Sequence, residues 1–77
     1  MADLFNILDG INSSDCADET LASVSDIESY AEACGEMLSE ADALRIQAAG
    51  IAWRDAQKNG NGEWSRMRHE AMQALED

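Results

Sequence analysis

The sequence predicts an all-α protein, and three observations support this fold class. The 77-residue chain contains no proline, and the residues that dominate it are good helix formers. No segment sustains the alternation of apolar and polar residues that a strand requires, whereas apolar residues recur at three- and four-residue spacing. We expect a single helical domain over residues 1–77, built as a small bundle of three to four helices. Because so short a chain supports only a marginal core, oligomerisation is a further expectation.

Two helices are predicted in the first half of the chain. The first covers residues 2–11, where one helical face carries Leu4, Ile7, Leu8 and Ile11. A turn-forming stretch follows over residues 12–15. The second helix follows from another apolar series at the same spacing: Leu21, Val24, Ile27, Ala31, Cys34, Leu38 and Ala41. Ser25 and Glu28 fit a capping box, so this helix begins there or near Asp18, and Gly35 weakens its end.

The second half predicts a helical hairpin. A third helix is expected over residues 40–58, with Ser39 and Asp42 as a start signal, and it ends at the Asn-Gly-Asn-Gly turn of residues 59–62. The last helix covers residues 63–75. Because the turn is short, we expect the last two helices to pack as a C-terminal antiparallel hairpin. One unbroken helix from Thr20 to Lys58 is the alternative, since the apolar spacing never lapses.

The charge of the chain is unevenly distributed. The first Lys or Arg is Arg45, and eleven acids precede it; five acids then balance five bases, so the net charge of −11 belongs to the first 44 residues. We expect Arg66, Arg68 and His69 to face this acidic half. A strong negative potential favours a protein partner with a basic surface and disfavours direct binding to nucleic acid or to anionic membranes. No secretion signal or membrane-spanning run is apparent, so we expect a cytoplasmic protein with reduced thiols.

Four glutamates form the most specific pattern in the sequence. Glu28, Glu32, Glu36 and Glu40 recur at strict four-residue spacing, which on one helix places them along a single outward stripe. Asp26 and Asp42 reinforce this stripe. We interpret the six acids as a partner-binding surface, because no cation is interleaved among them. An ordinary solvated helix face is the alternative interpretation.

The third predicted helix is apolar on two sides. One strip contains Leu44, Ala48 and Ile51, and the other contains Ile46, Ala49, Gly50 and Trp53. Either both strips pack within the domain, or one of them contacts a partner or a second copy in a homodimer. The second strip is the candidate oligomer or partner face, with Trp53 as its interface residue. Trp64 is expected in the core.

Metal binding and catalysis have little support in the sequence. Cys16, Cys34 and His69 lack the paired spacing of a zinc site, and no cation near Cys16 favours a reactive thiolate. Cys34 is most simply a small core residue. Gly60 and Gly62 follow a helix without the Lys-Ser/Thr signature of a phosphate-binding loop. We therefore expect no metal, no cofactor and no enzymatic activity.

The size, the charge and the glutamate spacing resemble a class of small, acidic, often helical proteins that phages encode against bacterial defence systems. This class includes nucleic-acid mimics that occupy the DNA-binding channels of restriction and CRISPR effectors. The resemblance implies a non-enzymatic inhibitor, anti-CRISPR-like or a DNA mimic, that acts in the host cytoplasm on a basic nucleic-acid-binding surface.

A shorter resemblance concerns residues 48–55. The segment Ala-Ala-Gly-Ile-Ala-Trp-Arg-Asp is similar to the first-helix segment of the theta accessory subunit of bacterial replicative polymerase. The alternative function is accordingly a small helical accessory or structural subunit. Such a subunit would bind its partner through the apolar face around Ile46 and Trp53.

Overall fold

The computed structural model describes residues 3–60 and 64–76, and these residues confirm the all-α prediction. They form five helices and no strand: α1 (Leu4–Asn12), α2 (Ala17–Leu21), α3 (Val24–Ala33), α4 (Glu40–Asn59) and α5 (Trp64–Ala74). The short helix α2 was not expected from the apolar spacing. It accounts for one helix more than the three to four that the sequence predicts.

Side-chain oxygens cap the first turns of three helices. Asp3 Oδ1 accepts a hydrogen bond from Asn6 N at 3.2 Å in α1, and Ser39 Oγ accepts from Asp42 N at 3.1 Å in α4, as predicted. The capping box at Ser25 is wrong, because Ser23 caps α3 instead and accepts from Asp26 N at 3.4 Å. Each cap satisfies a backbone N–H that has no partner within its helix.

Helix α3 ends in a Schellman motif, which rules out one continuous helix from Thr20 to Lys58. Gly35 has a φ of +87°, a left-handed conformation that glycine adopts without steric cost. Glu36 N donates to Ala31 O and Gly35 N donates to Glu32 O, both at 2.9 Å. These two bonds satisfy the last carbonyls of α3 and turn the chain away from the helix axis.

Helix α4 is the central element, because it contacts each of the other four helices. Its buried side carries Ala43, Ile46, Gly50, Trp53 and Ala56. The other helices, together with the residue directly after α5, contribute the remaining core side chains: Leu4, Phe5, Ile7, Leu8, Ile11, Ala17, Leu21, Ile27, Ala31, Ala71 and Leu75. The long helix therefore serves as the surface on which the shorter helices assemble.

Gly50 allows α1 and α2 to approach α4 closely. A Cβ atom at this position would lie 2.6 Å from Leu21 Cδ2 and 2.8 Å from Leu8 Cδ1, which is closer than van der Waals contact permits. The carbonyl of Leu21, at the end of α2, also accepts a hydrogen bond from Gln47 Nε2 at 2.9 Å. A small residue and one side-chain donor thus fix α2 against α4.

Aromatic side chains join α1, α4 and α5. The Trp53 ring is stacked on Phe5 with centroids 5.9 Å apart, and it also contacts Trp64 at 6.1 Å. The Arg68 guanidinium lies 5.2 Å from the centroid of the Phe5 ring, a cation–π contact. Near the other end of α5, Arg45 Nη2 donates to Ala74 O at 2.9 Å. These contacts hold α5 along α4.

Candidate partner-binding surface

The structure distributes the six predicted acidic site residues over three segments. Asp26, Glu28 and Glu32 lie on α3, Glu36 lies in the link between α3 and α4, and Glu40 and Asp42 lie in the first turn of α4. The prediction of a single four-glutamate stripe on one helix is therefore wrong. The glutamates do not share one helix because the Schellman motif at Gly35 ends α3 before Glu36 is reached.

Three of the glutamates nevertheless lie around one open depression between α3 and the link. Glu28, Glu32 and Glu36 line it, together with Met37 and Leu38. We call these five residues the acidic concavity. Met37 is 92% exposed, while Leu38 is partly buried and packs against the core. The sequence pattern did not single out Met37, which lies between Glu36 and the apolar Leu38 and off the three-four series that Leu38 continues.

The carboxylates of the acidic concavity form no ion pair with the cations of the described residues. Within residues 3–60 and 64–76, no ion pair involves Glu28, Glu32 or Glu36. Asp42 differs, since its Oδ1 lies 3.5 Å from Arg45 Nη1. The negative potential of the concavity is therefore not offset by a contacting side chain, whereas the potential at Asp42 is reduced.

Two cations of α4 converge on a carboxylate of α2. Asp18 Oδ1 lies 3.1 Å from Arg54 Nε, and Asp18 Oδ2 lies 3.1 Å from Lys58 Nζ. Hydrogen bonds from Arg54 and, to a smaller extent, from Lys58 lower the pKa of Asp18 below its usual value of 3.8. Arg54 also donates to Asn12 Oδ1 at 3.4 Å. This cluster was not predictable from the spacing of residues, because 36 positions separate Asp18 from Arg54.

The predicted apolar partner face is buried within the chain. Ile46 is fully buried, Trp53 is 1% exposed, and Gly50 is buried, while Ala49 is partly buried and packs against the core. The prediction that these four residues form an exposed interface is wrong. The reason is that α1, α2, α3 and α5 all pack against α4, and together they enclose this side of it.

Two smaller expectations about the core also need correction. Trp64, the first residue of α5, is 43% exposed although its ring lies 6.1 Å from that of Trp53. Cys34 is exposed because it follows the last turn of α3.

Burial, and to a smaller extent the neighbouring Cys34, raises the pKa of the Tyr30 hydroxyl. The Tyr30 hydroxyl packs directly against Gly10, where a Cβ atom would clash with it.

Two further questions about the described residues are whether they hold a cluster of metal-ligating side chains and whether they include a membrane-spanning helix. In residues 3–60 and 64–76, no three His, Cys, Asp or Glu side chains are grouped so that they could hold a metal ion. None of the helices in that part of the chain has the length and apolar character needed to cross a membrane. The chemistry of the acidic concavity is thus that of unpaired carboxylates beside an exposed thioether.

Comparison with known proteins adds no relative to this picture. No family model matches the chain, and neither a curated protein nor a solved structure is significantly similar to it. The sequence and the geometry of the described residues are therefore the basis for a functional proposal.

Proposed function

We propose that this protein is a non-enzymatic inhibitor that binds a basic, nucleic-acid-binding surface of a partner protein complex. The acidic surface that we assign to this role comprises the acidic concavity together with Asp26, Glu40 and Asp42. Carboxylates at this density attract the Lys and Arg side chains that otherwise contact phosphates. The partner's binding site for nucleic acid is blocked as a consequence.

One observation carries the proposal: the acids of the first 44 residues exceed what the cations of the chain neutralise. Arg54 and Lys58 both pair with Asp18, and Arg45 contacts Asp42 and the end of α5. Arg68 lies over Phe5. Glu28, Glu32 and Glu36 remain without an ion pair among the described residues, so they are available to an external cation.

Met37 adds an apolar contact to the electrostatic attraction. Its side chain projects beside the three glutamates and is 92% exposed. Methionine is flexible and polarisable, so it adapts to irregular apolar surfaces on a partner. A basic surface with an apolar depression would therefore bind this site better than a uniformly charged one.

The proposed class of partner follows from the resemblance to phage-encoded anti-defence proteins. Restriction and CRISPR effectors carry cationic channels for nucleic acid, and we propose such a complex in the host cytoplasm as the target. The alternative function, an accessory subunit that binds through Ile46 and Trp53, has no observation in its favour. Both side chains are buried in this chain's own core.

The scaffold of this function is proposed to be the antiparallel hairpin of α4 and α5. Two contacts support this order of packing: Arg45, early in α4, reaches Ala74 at the end of α5, and Trp53, later in α4, contacts Trp64 at the start of α5. The loop that would close the hairpin includes residues 61–63, which lie outside the described residues.

Affinity purification from bacterial lysate, followed by mass spectrometry, tests the proposed function. We expect the chain to capture a nucleic-acid-binding complex, and we expect duplex DNA or RNA to compete with it for that complex. Capture should fall steeply between low and high salt, because ion pairs and counterions dominate such binding. The triple variant Glu28→Lys, Glu32→Lys, Glu36→Lys should lose capture while keeping its helical content by circular dichroism.

A matched variant controls for the change in net charge. Glu19, Glu70 and Glu76 are exposed acids away from the concavity, and reversing all three to Lys alters the net charge by the same amount. This control should retain capture. If both triple variants bind equally well, or if both lose binding equally, the acidic concavity is not the binding surface.

A further inference from the structure

Helix α4 carries a second apolar face that the described residues do not cover. Leu44 is 47% exposed and Ile51 is 44% exposed, and Ala41 and Ala48 are exposed as well. At 3.6 residues per turn, these four residues lie within about 80° of one another around the helix. We call them the outer face of α4. It points away from Trp53, which lies on the opposite side of the helix.

Two opposite charges lie beside the outer face on one flank of α4, one near each end of the helix. Glu40 and Lys58 are 18 residues apart, which is about five full turns, so both lie on the same flank of α4. Ala49 is equally distant from both of them along the chain. Glu40 is exposed, and the Lys58 side chain is 57% exposed although its ammonium group contacts Asp18. The ammonium has three N–H donors, so it can bind a second carboxylate.

We infer that the outer face of α4 binds a second copy of this chain, with the two α4 helices antiparallel. Two-fold symmetry between antiparallel helices brings the same flank of each helix together. Glu40 of one copy then lies beside Lys58 of the other, and this contact occurs twice. In a parallel arrangement the two-fold axis runs along the helices, so the flank that carries Glu40 and Lys58 lies on opposite sides of the contact in the two copies, and neither ion pair forms.

The apolar residues of the outer face fit this arrangement. Ala48 lies one residue from the midpoint between Glu40 and Lys58 and allows the two backbones to approach closely, while Leu44 and Ile51 lie on either side of it and add apolar surface to the contact. A depression next to Ile51 is lined by Leu21 and Ala22 and by the charged residues Asp18, Arg54, Asp55 and Lys58, and in the dimer it lies beside Leu44 of the other copy. The face is thus complementary to itself.

The charge of α4 favours a second copy over a basic partner. The helix carries three acids, Glu40, Asp42 and Asp55, and three bases, Arg45, Arg54 and Lys58. The charges of the helix sum to zero, in contrast to the acids of α1 to α3. On the outer face itself, exposed Asp55 lies between Leu44 and Ala48 around the helix, so two chains of net charge −11 meet here with a much smaller excess of negative charge than on α1 to α3. A cationic protein would gain less here than on the acidic surface of α3 and the link.

One helix pair is smaller than a standard protein–protein interface, so we expect a weak dimer with a dissociation constant above about 1 µM. Sedimentation equilibrium of the full chain, from about 10 µM to about 1 mM, measures it. Leu44→Asp and Ile51→Asp should each weaken the dimer at least about tenfold. Met37→Asp is the matched control, because it adds the same charge at an exposed apolar position outside the outer face, and it should leave the dimer unchanged.

Charge exchange tests the antiparallel orientation. Glu40→Lys alone and Lys58→Glu alone should each weaken self-association, while the double variant should recover it. An equimolar mixture of the two single variants should form a heterodimer, since each chain then supplies the charge that the other lacks. Thermal melts followed by circular dichroism verify that all variants are folded.

Three outcomes would overturn the inference. A wild-type chain that stays monomeric over the whole concentration range excludes the dimer. A dimer that tolerates Leu44→Asp and Ile51→Asp uses another surface. If the chain is monomeric but Leu44→Asp abolishes capture of a bacterial protein, the outer face belongs to a different partner. None of these outcomes depends on the acidic concavity, so the proposed function is tested separately.

Discussion

The two apolar faces of α4 carry similar side chains but lie in opposite environments. The core face, formed by Ala43, Ile46, Gly50 and Trp53, is buried under the other four helices. The outer face, formed by Ala41, Leu44, Ala48 and Ile51, remains exposed. Both follow the same three-four spacing. This spacing therefore identifies a helix and its apolar sides, but it does not indicate which side the rest of the chain covers.

Shape decides between the two faces. On the core face, Gly50 leaves room for Leu8 and Leu21, and the Trp53 ring is covered by Phe5 and Trp64. The outer face has neither a glycine that leaves room for side chains of a neighbouring helix nor an aromatic ring that packs against other rings. The larger and better-fitted apolar surface enters the core, because close packing adds dispersion contacts to the hydrophobic gain.

Truncation of the two faces should give the largest difference. Trp53→Ala is expected to lower the free energy of unfolding by about 3–5 kcal/mol, because it leaves a cavity between Phe5 and Trp64. Since a chain of this size is stable by roughly 4–12 kcal/mol, this loss could unfold it. Leu44→Ala should change stability by less than about 1 kcal/mol. Urea denaturation followed by circular dichroism, at low protein concentration, measures both; equal losses would contradict the assignment of the faces.

A smaller effect is expected where the core face is tightest. Gly50→Ala should destabilise the protein by about 1 kcal/mol, because the strain of overpacking against Leu8 and Leu21 exceeds the gain in helix propensity. The same denaturation experiment detects it. In a Leu21→Ala background only the contact with Leu8 Cδ1 at 2.8 Å remains, so Gly50→Ala should be less destabilising. Destabilisation of the same size in both backgrounds would show that Leu21 is not the cause.

The smallest effect is expected at the flank of α4 that carries Arg54 and Lys58. Because these cations lower the pKa of Asp18, the ionised carboxylate stabilises the fold above pH 3.8, and this contribution is lost as the pH falls through the lowered pKa. Asp18→Asn should therefore reduce the melting temperature at neutral pH, and the difference from wild type should vanish in acid. Replacing Arg54 and Lys58 with Gln should remove the effect of Asp18→Asn; persistence of the effect would exclude these ion pairs as its source.

Local interactions made much of α4 predictable from the sequence. Its predicted span, residues 40–58, differs by one residue from the observed Glu40–Asn59. Ser39 caps its first turn, and Gly60 ends it in the left-handed conformation with a φ of +61°. Both signals act within a few residues of the helix end, so they depend little on the rest of the fold.

The acidic site was predictable by residue type but not by arrangement. Ser23 and Ser25 are both acceptable caps, and the apolar series runs through Gly35 without interruption. The prediction followed that series and placed Glu36 and Glu40 on the same helix as Glu28. Only the hydrogen bonds from Gly35 and Glu36 to the end of α3 decided against it. A helix that ends at Gly35 and one that continues through it differ little in free energy, so the spacing of apolar residues does not reveal which of the two forms.

The sequence by itself determined the helical class, the most regular helices and the confinement of the net charge to the first 44 residues, since these depend on composition and on neighbouring residues. The tertiary structure decided which face of α4 is buried and which glutamates share the acidic concavity. It also decided that Asp18 pairs with Arg54 and Lys58. These outcomes depend on contacts between residues distant in the chain, where shape and charge are matched only after the helices have packed.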